Sequence, residues 1–215
     1  MNHIPMRMHA PTIRPQKLTR RALAKQQTRE KVLQAAREMF IERGYEGATI
    51  RDIARAAGMS TGAVFASFTD KPELFDAILS DDFAALLDPM QDAATTAPSA
   101  REALVAMFSA AYRAHSAQLP LIQAALAASW TRTPEAEKLR RETLRPIRAL
   151  VTQVLERGVE RGELSARFDL RLVSEVIWDL YLAGYRPAAF EGLSVETQTD
   201  KLAERIDLVL AGVKA

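Results

Sequence analysis

The chain contains no cysteine and only three histidines, and both shortages restrict its chemistry. Without cysteine there is no disulfide, no thiolate nucleophile and no cysteine-ligated zinc. Two of the histidines, His3 and His9, stand near the start, and His115 has no second histidine nearby in the sequence. No apolar run approaches the ~20 residues of a membrane-spanning helix, and no targeting segment is visible in residues 1–20. We therefore expect a cytoplasmic protein with no metal, no cofactor and no membrane partner.

The charge is nearly balanced, at +2, but it is distributed unevenly along the chain. Residues 1–75 hold 13 Lys and Arg against 7 Asp and Glu, whereas residues 76–215 hold 16 against 20. A basic first third on an acidic body is typical of a nucleic-acid binder. A charge imbalance that only keeps the protein soluble is the alternative.

The pattern of apolar residues is helical, with no alternating strand pattern. Residues 1–25 carry three prolines and no apolar period, which predicts a flexible basic tail. In that tail, cations that could contact phosphates or a minor groove are Arg14, Lys17, Arg20, Arg21 and Lys25. A frayed segment without such a role is the alternative.

Capping and helix-breaking residues divide the rest of the chain into helices. Thr28 should cap a first helix that ends at Gly44, and Asp70 should begin a fourth that runs to about Leu86. A loop is expected over residues 88–98. Later helices are predicted over residues 100–115, 120–130, 134–161 with a kink at Pro146, 170–190 and 195–213. The predicted fold is all-α, with about nine helices.

Two short helices between residues 49 and 68 have the form of a helix-turn-helix. Thr49, followed by Asp52, should cap the first, Gly58 should end it in a left-handed conformation, and Ser60 should cap the second. The second helix would bury one side and leave the other small or polar, so that its backbone approaches bases in a major groove. The expected buried side is Val64, Phe65 and Phe68, and the open side is Thr61, Gly62, Ala63, Ala66 and Ser67. A structural helix pair around a glycine turn is the alternative.

Residues 28–79 closely resemble the DNA-binding domain of the tetracycline-repressor (TetR/AcrR) family. The matching sequence is TREKVLQAAREMFIERGYEGATIRDIARAAGMSTGAVFASFTDKPELFDAIL. The resemblance implies a three-helix DNA-binding domain over residues 26–75 and a helical ligand-binding and dimerisation domain over residues 76–215. It also implies a homodimer that acts on an operator and, usually, repression that a small molecule relieves.

The resemblance also assigns roles to residues of the helix-turn-helix. Thr49 and Lys71 match phosphate contacts, and Thr61 and Ala63 match base-facing positions. Many family members place Tyr or His where this chain has Phe65, Ala66 and Ser67, so Arg51, Lys71 and the tail would contribute more of the affinity. The predicted DNA-binding residues are Thr49, Arg51, Ser60, Thr61, Gly62, Ala63, Phe65, Ala66, Ser67 and Lys71.

Apolar stripes on two of the last helices suit a four-helix dimer interface. The predicted interface residues are Val173, Val176, Ile177, Leu180, Gly184, Leu202, Ile206, Val209, Leu210 and Val213. A core within one chain is the alternative. Dimerisation would set two recognition helices about one turn of DNA apart, ~34 Å, as a palindromic operator requires.

Aromatic and methionine residues of the middle helices are candidates for an effector pocket, with plain core as the alternative. The candidates are Met107, Phe108, Tyr112, His115, Ile122, Trp130, Trp178, Tyr181 and Tyr185. For His115 a solvated or capping role is expected over ligand contact, and a surface role is expected for Arg148, Asp179 and Arg186.

These patterns predict a sequence-specific transcriptional regulator, most simply a repressor released by a small molecule. An architectural DNA binder without an effector is one alternative, and an apolar cavity of ~300 Å³ or more would argue against it. A helical enzyme is the other, but no phosphate loop and no nucleophile constellation supports it.

Overall fold

The computed structural model describes residues 19–214, and these residues form ten α-helices and one 3₁₀ turn, without a strand. Within that range no helix combines the length and apolarity needed to cross a bilayer. The prediction of an all-α chain is confirmed, with one helix more than expected. The helices are α1 (Arg20–Gly47), α2 (Ile50–Ala56), α3 (Thr61–Phe65), α4 (Lys71–Thr96), α5 (Ala100–His115), α6 (Leu119–Ala128), α7 (Pro134–Glu160), α8 (Leu170–Ala183), α9 (Tyr185–Glu191) and α10 (Val195–Ala211), and the 3₁₀ turn is Ser116–Gln118.

The first helix begins earlier than its sequence pattern indicates. Thr19 caps α1, and Thr28 lies inside the helix, where its hydroxyl bonds the preceding turn. The predicted tail is therefore wrong for residues 20–25, which are helical. Of the predicted tail cations, Arg20, Arg21 and Lys25 are exposed on α1, whereas Arg14 and Lys17 lie outside the described residues.

The predicted signals of the helix-turn-helix are confirmed. The hydroxyls of Thr49 and Ser60 cap α2 and α3, and Asp70 caps α4. Gly58 has φ +67°, so the turn between α2 and α3 uses a backbone conformation that favours glycine. Gly44, at φ 72°, interrupts α1 near its end. Helix α3 is shorter than predicted and ends at Phe65.

Helix α4 is a single long helix that joins the two halves of the chain. The loop predicted over residues 88–98 is wrong, because α4 continues through Pro89 to Thr96. Met90 and Ala94 are buried on this extension, and α4 packs along α5. This burial outweighs the one hydrogen bond that Pro89 removes. The predicted boundary after residue 75 falls inside α4.

The helix predicted over residues 170–190 is divided in two at Gly184. A Cβ atom at this position would lie 3.0 Å from Cζ of Tyr112 and 3.1 Å from the carbonyl oxygen of Tyr181. Glycine therefore lets the chain between α8 and α9 approach α5. Helix α5 is central to the larger half, because Leu104, Met107 and Phe108 are fully buried and α10 packs along it.

Candidate nucleic-acid interface and effector cavity

Helix α3 has one buried and one exposed side, as a recognition helix requires. Val64 and nearby Phe68 are buried in the core formed with α1, α2 and α4. Phe65 was expected in this core, but it is 53% exposed, because it lies on the opposite side of the short helix. The exposed side of α3, which we call the reading face, consists of Thr61, Gly62, Phe65 and Ala66.

The other predicted DNA-binding residues surround this face. The Thr49 hydroxyl accepts a bond from the amide of Asp52 and donates to its carboxylate at 2.6 Å, which lowers the pKa of Asp52. Arg51 and Ser60 are exposed, and Ala63 and Ser67 are half-buried. The ammonium of Lys71 lies 4.2 Å from the centre of the Tyr45 ring.

Arg29 supports the recognition helix, a role that the sequence pattern did not indicate. Its guanidinium donates to the carbonyl oxygen of Ser67 at 3.2 Å and lies 4.2 Å from the centre of the Phe68 ring. Arg29 therefore satisfies a carbonyl just beyond the end of α3. In the sequence, this contact could have been predicted only by knowing that Arg29 lies on the face of α1 that packs toward α3. Which face of α1 packs toward α3 is determined by tertiary contacts.

A polar link joins α1 to α4 and to the 3₁₀ turn. The guanidinium of Arg37 on α1 forms an ion pair with Asp82 on α4 and donates to the amide oxygen of Gln118 at 2.9 Å. Burial raises the pKa of Asp82, although the Arg37 hydrogen bond opposes the shift. Oδ2 of Asp82 is buried without a hydrogen-bond partner among the described residues.

A cavity of about 180 Å³, the inner cavity, lies among α4 to α9 and is smaller than the ~300 Å³ that would argue against an architectural protein. Five of the nine predicted pocket residues line it, and whether they bind a ligand stays a prediction. Met107, Phe108 and Tyr112 belong instead to the core beside it. Trp130 is 90% exposed, so its assignment to a pocket was wrong; it follows the end of α6, where no residue of the described range covers it. The predicted residues that line the cavity are His115, Ile122, Trp178, Tyr181 and Tyr185.

The deepest polar groups of the inner cavity form a short chain of hydrogen bonds. Nδ1 of His115 lies 2.6 Å from the hydroxyl of Tyr185, which lies 2.5 Å from that of Tyr181. His115 was expected at the surface, but it is only 2% exposed, and burial lowers its pKa to about 4. Its Nε2 is buried without a partner in the described part of the chain. No group of three His, Asp or Glu among residues 19–214 could hold a metal ion.

The rim of the inner cavity is rich in arginine, and of these residues a surface role was predicted only for Arg148. Arg140 lies over the Phe83 ring, 4.2 Å from its centre, and burial together with nearby Arg132 lowers its pKa to about 10. Arg140 also lines a second cavity of about 450 Å³ between α4 and α7, the outer cavity. Arg140 follows the same helical spacing as buried Ile147 and Val151, which is the signal that could have revealed it. The charged residues of the inner cavity are Arg132, Glu137, Arg140, Arg141 and Arg148.

The residues predicted for a dimer interface divide between core and surface. Those buried within the chain, as the alternative expected, are Val173, Ile177, Gly184, Leu202, Ile206, Leu210 and Val213. Those that stay accessible are Val176, Leu180 and Val209. Leu172, which is 58% exposed, precedes Val176 by one turn of α8, and Leu208, which is 77% exposed, lies beside Val209 on α10.

Comparisons with known proteins agree with this architecture. Residues 32–78 match the model of bacterial regulatory proteins of the tetR family, and residues 97–206 match a tetracyclin repressor-like C-terminal domain. The HTH-type transcriptional repressor AcnR of Corynebacterium efficiens is 42% identical over 65 residues, 30% of this chain but only 35% of AcnR. The HTH-type transcriptional repressor KstR2 of Mycobacterium tuberculosis is 30% identical over 167 residues, 74% of this chain and 82% of KstR2.

Solved structures show the same fold. The ketosteroid transcriptional regulator KstR2 of Mycobacterium tuberculosis superposes with a TM-score of 0.58 at 28% identity, over 87% of this chain and 95% of that one. FadR of Bacillus subtilis, solved with stearoyl-CoA, superposes with a TM-score of 0.74 at 18% identity, over 86% and 98% of the two chains. The two family models and the long match to KstR2 together establish that the chain belongs to the tetR family of bacterial regulatory proteins.

Proposed function

We propose that the protein is a homodimeric repressor that binds a palindromic operator through α3 and leaves it when a small molecule enters the inner cavity. The reading face carries the proposal, because it exposes a short helix of small and apolar side chains on a rigid support. A major groove admits one such helix. AcnR and KstR2 are transcriptional repressors, which supports repression over activation for this protein.

Phe65 is the proposed base contact that contributes most to the sequence preference for the operator. Phe65 and Ala66 have no side-chain hydrogen-bond donor or acceptor, so both favour apolar contact with the 5-methyl group of thymine. Thr61 can add a hydrogen bond at the start of the helix. Phosphate contacts by Thr49, Arg51 and Lys71 would hold the helix in register without reading sequence.

Exposed apolar side chains on α8 and α10 support the proposed dimer. Leu172, Val176 and Leu180 follow one another at intervals of one helical turn, and Leu208 and Val209 are accessible on the neighbouring helix. An isologous interface would bury this face against its copy and set the two reading faces a fixed distance apart.

Helix α4 is the proposed connection between effector and operator. Phe83 lines the inner cavity, and the preceding residue, Asp82, is paired with Arg37 on α1. A ligand that binds more tightly to one position of α4 would shift the dimer toward that position. The stearoyl-CoA complex of FadR supports the idea that this fold accommodates a small molecule.

In vitro selection from random duplex DNA at near-physiological salt tests the proposal. The expected product is a palindrome whose half-sites are about one turn apart, ~34 Å. Enrichment of no sequence, with salt-sensitive binding, would support an architectural protein instead. Absence of any DNA binding would refute a regulatory role for the reading face.

Uracil substitution in the selected operator then tests the proposed role of Phe65. Removing a single thymine methyl should weaken binding of the natural protein about as much as Phe65→Ala does, and the two changes together should cost no more than either alone. Phe190→Ala is the matched control, because Phe190 is also highly exposed but lies on α9. Equal sensitivity of Phe65→Ala and the natural protein to every uracil would exclude the contact.

A further inference from the structure

The inner cavity has an excess of positive charge at its rim. Of its charged residues only Glu137 is acidic, and Glu137 is already paired with Arg141 at 2.8 Å and lies 4.0 Å from Arg132. Arg148 faces Glu175 on α8 at 3.7 Å. Arg140 is therefore the cation of the rim that is left without an ion pair among the described residues.

The surroundings of Arg140 combine an aromatic ring with charged groups that form no ion pair with it. Its guanidinium lies against Phe83, and no hydrogen bond joins it to any residue of the described range. Asp76 on α4 and Glu137 on α7 influence its pKa but form no ion pair with it. A half-buried guanidinium offers five donors, and leaving them without acceptors costs free energy. An anionic group that enters the cavity would satisfy them bidentately.

A second polar group of the cavity also lacks a partner. Nε2 of His115 is buried and unpaired, while Nδ1 contacts the hydroxyl of Tyr185. An incoming oxygen that accepts a hydrogen bond from Nε2 selects the tautomer in which Tyr185 donates to Nδ1. Tyr181 then donates to Tyr185, so that every group of the chain of hydrogen bonds is satisfied.

The remaining wall of the inner cavity is apolar. It includes Phe83, Ile122, Leu126, Leu144 and Trp178. Such a wall favours a hydrocarbon body, since apolar area removed from water is the main source of affinity in pockets of this kind. The cavity thus combines an apolar interior with an unpaired cation and an unpaired imidazole nitrogen.

From these contacts we infer that the effector is an organic acid with an apolar body, whose anionic group binds Arg140 and whose oxygen accepts a hydrogen bond from His115. This inference rests on the proposed function, in which the inner cavity is the effector site. At about 180 Å³ the inner cavity holds the body of a small acid. The outer cavity, of about 450 Å³, also includes Arg140, but its other charged residues are Asp70, Glu73 and Asp76. A free acid places its carboxylate directly beside Arg140. An acyl thioester of coenzyme A offers a neutral carbonyl oxygen to His115, and its phosphates would have to lie among the carboxylates of the outer cavity, so the lining favours the free acid.

Ligand titration of the full chain without DNA tests the inference independently of any operator. Trp130→Phe removes the exposed tryptophan, so that Trp178 in the cavity wall reports binding through its fluorescence. The probes are hexanoate, decanoate, cholate, decanoyl-CoA, decanol and decylamine. Arg140→Ala is compared with Arg140→Lys and with Arg145→Ala, a control at an exposed arginine of the same helix. Circular dichroism verifies that each variant is folded.

At least one acid or thioester should bind, and about ten- to hundredfold more tightly than decanol or decylamine. Arg140→Ala should remove this advantage while leaving the affinity for decanol unchanged, Arg140→Lys should retain part of it, and Arg145→Ala all of it. Binding of decanoate identifies a free acid, and binding of decanoyl-CoA alone identifies the thioester. Binding of no acid or thioester, equal binding of decanol, or an unchanged affinity in Arg140→Ala would overturn the inference. Acid binding by a protein that selects no operator would uphold the ligand class and refute the proposed function.

Discussion

Replacing Gly184 with alanine tests how closely α5 approaches the break between α8 and α9. The added Cβ would lie 3.0 Å from Cζ of Tyr112, nearer still to its hydroxyl oxygen, and 3.1 Å from the carbonyl oxygen of Tyr181. Carbon atoms in a packed core are normally ~3.5–4.0 Å apart. The Tyr112 ring must therefore move, which breaks the 2.8 Å hydrogen bond from its hydroxyl to that carbonyl.

Two costs add in Gly184→Ala. Overpacking of a dense core costs about 1–3 kcal/mol, and the buried hydroxyl of Tyr112, left without its acceptor, costs about 1–3 kcal/mol more. We expect the free energy of unfolding to fall by about 2–6 kcal/mol and the melting temperature by about 4–24 °C. Urea unfolding followed by circular dichroism measures the loss. All variants are compared at one protein concentration, because dimerisation would make stability depend on it.

A double-mutant cycle with Tyr112→Phe identifies the cause. Phenylalanine lacks the hydroxyl that the new methyl group meets, so Gly184→Ala should cost at least about 1 kcal/mol less in that background. Gly212→Ala is the control, since its Cβ would only reach 3.4 Å from the nearest atom, at a helical φ of −75°. Natural stability of Gly184→Ala, or strictly additive effects with Tyr112→Phe, would refute the close approach.

Three further outcomes are expected. Arg37→Met should destabilise the protein by about 2–3 kcal/mol, because it leaves the Asp82 carboxylate buried without its cation. Adding Asp82→Leu should restore stability, but effector should then no longer release the operator. Full release by effector in the double variant would exclude the Arg37–Asp82 pair as the connection between the inner cavity and the operator. His115 has an ordinary pKa of 6.5 and a folded pKa of about 4, so between these pH values only the unfolded chain binds its proton. Stability should therefore fall as the pH drops from 7 to 4, by about 3 kcal/mol more than in His115→Gln, and parallel curves in urea unfolding would contradict this. Lys71→Ala should reduce the slope of log K against log salt for operator binding by about one unit, whereas an unchanged slope would remove Lys71 from the interface.

The helix-turn-helix could be predicted from the sequence because its signals are local. Thr49 and Ser60 cap helices through hydroxyl bonds that span three residues, and Gly58 turns the chain through its own φ. The pattern of α3 failed for Phe65, which is exposed, and for the end of the helix, which stops at Phe65. In a helix of five residues, a shift of one position changes which side a residue faces.

The helices around the inner cavity were less predictable because their features depend on distant contacts. Met90 and Ala94 continue the helical spacing of Phe83 and Leu86, but Pro89 stands within that pattern, and only the packing of α4 against α5 shows that the helix extends through it. Aromatic character alone did not distinguish exposed Trp130 from Trp178 in the cavity wall. Predicting pocket residues from aromatic and methionine side chains also leaves out arginines, although arginines give the inner cavity its positive charge.

The continuity of α4 has a mechanical consequence. Phe83 lies twelve positions beyond Lys71 on the same unbroken helix, a distance of about 18 Å along its axis. If the helix moves as a rigid rod, a tilt of about 5° at Phe83 carries the Lys71 end by about 1.5 Å. A displacement of this size is enough to break a hydrogen bond to a phosphate oxygen. A tilt of α4 too small to reorganise the core around Phe83 would thus produce a larger displacement of Lys71, at the edge of the DNA.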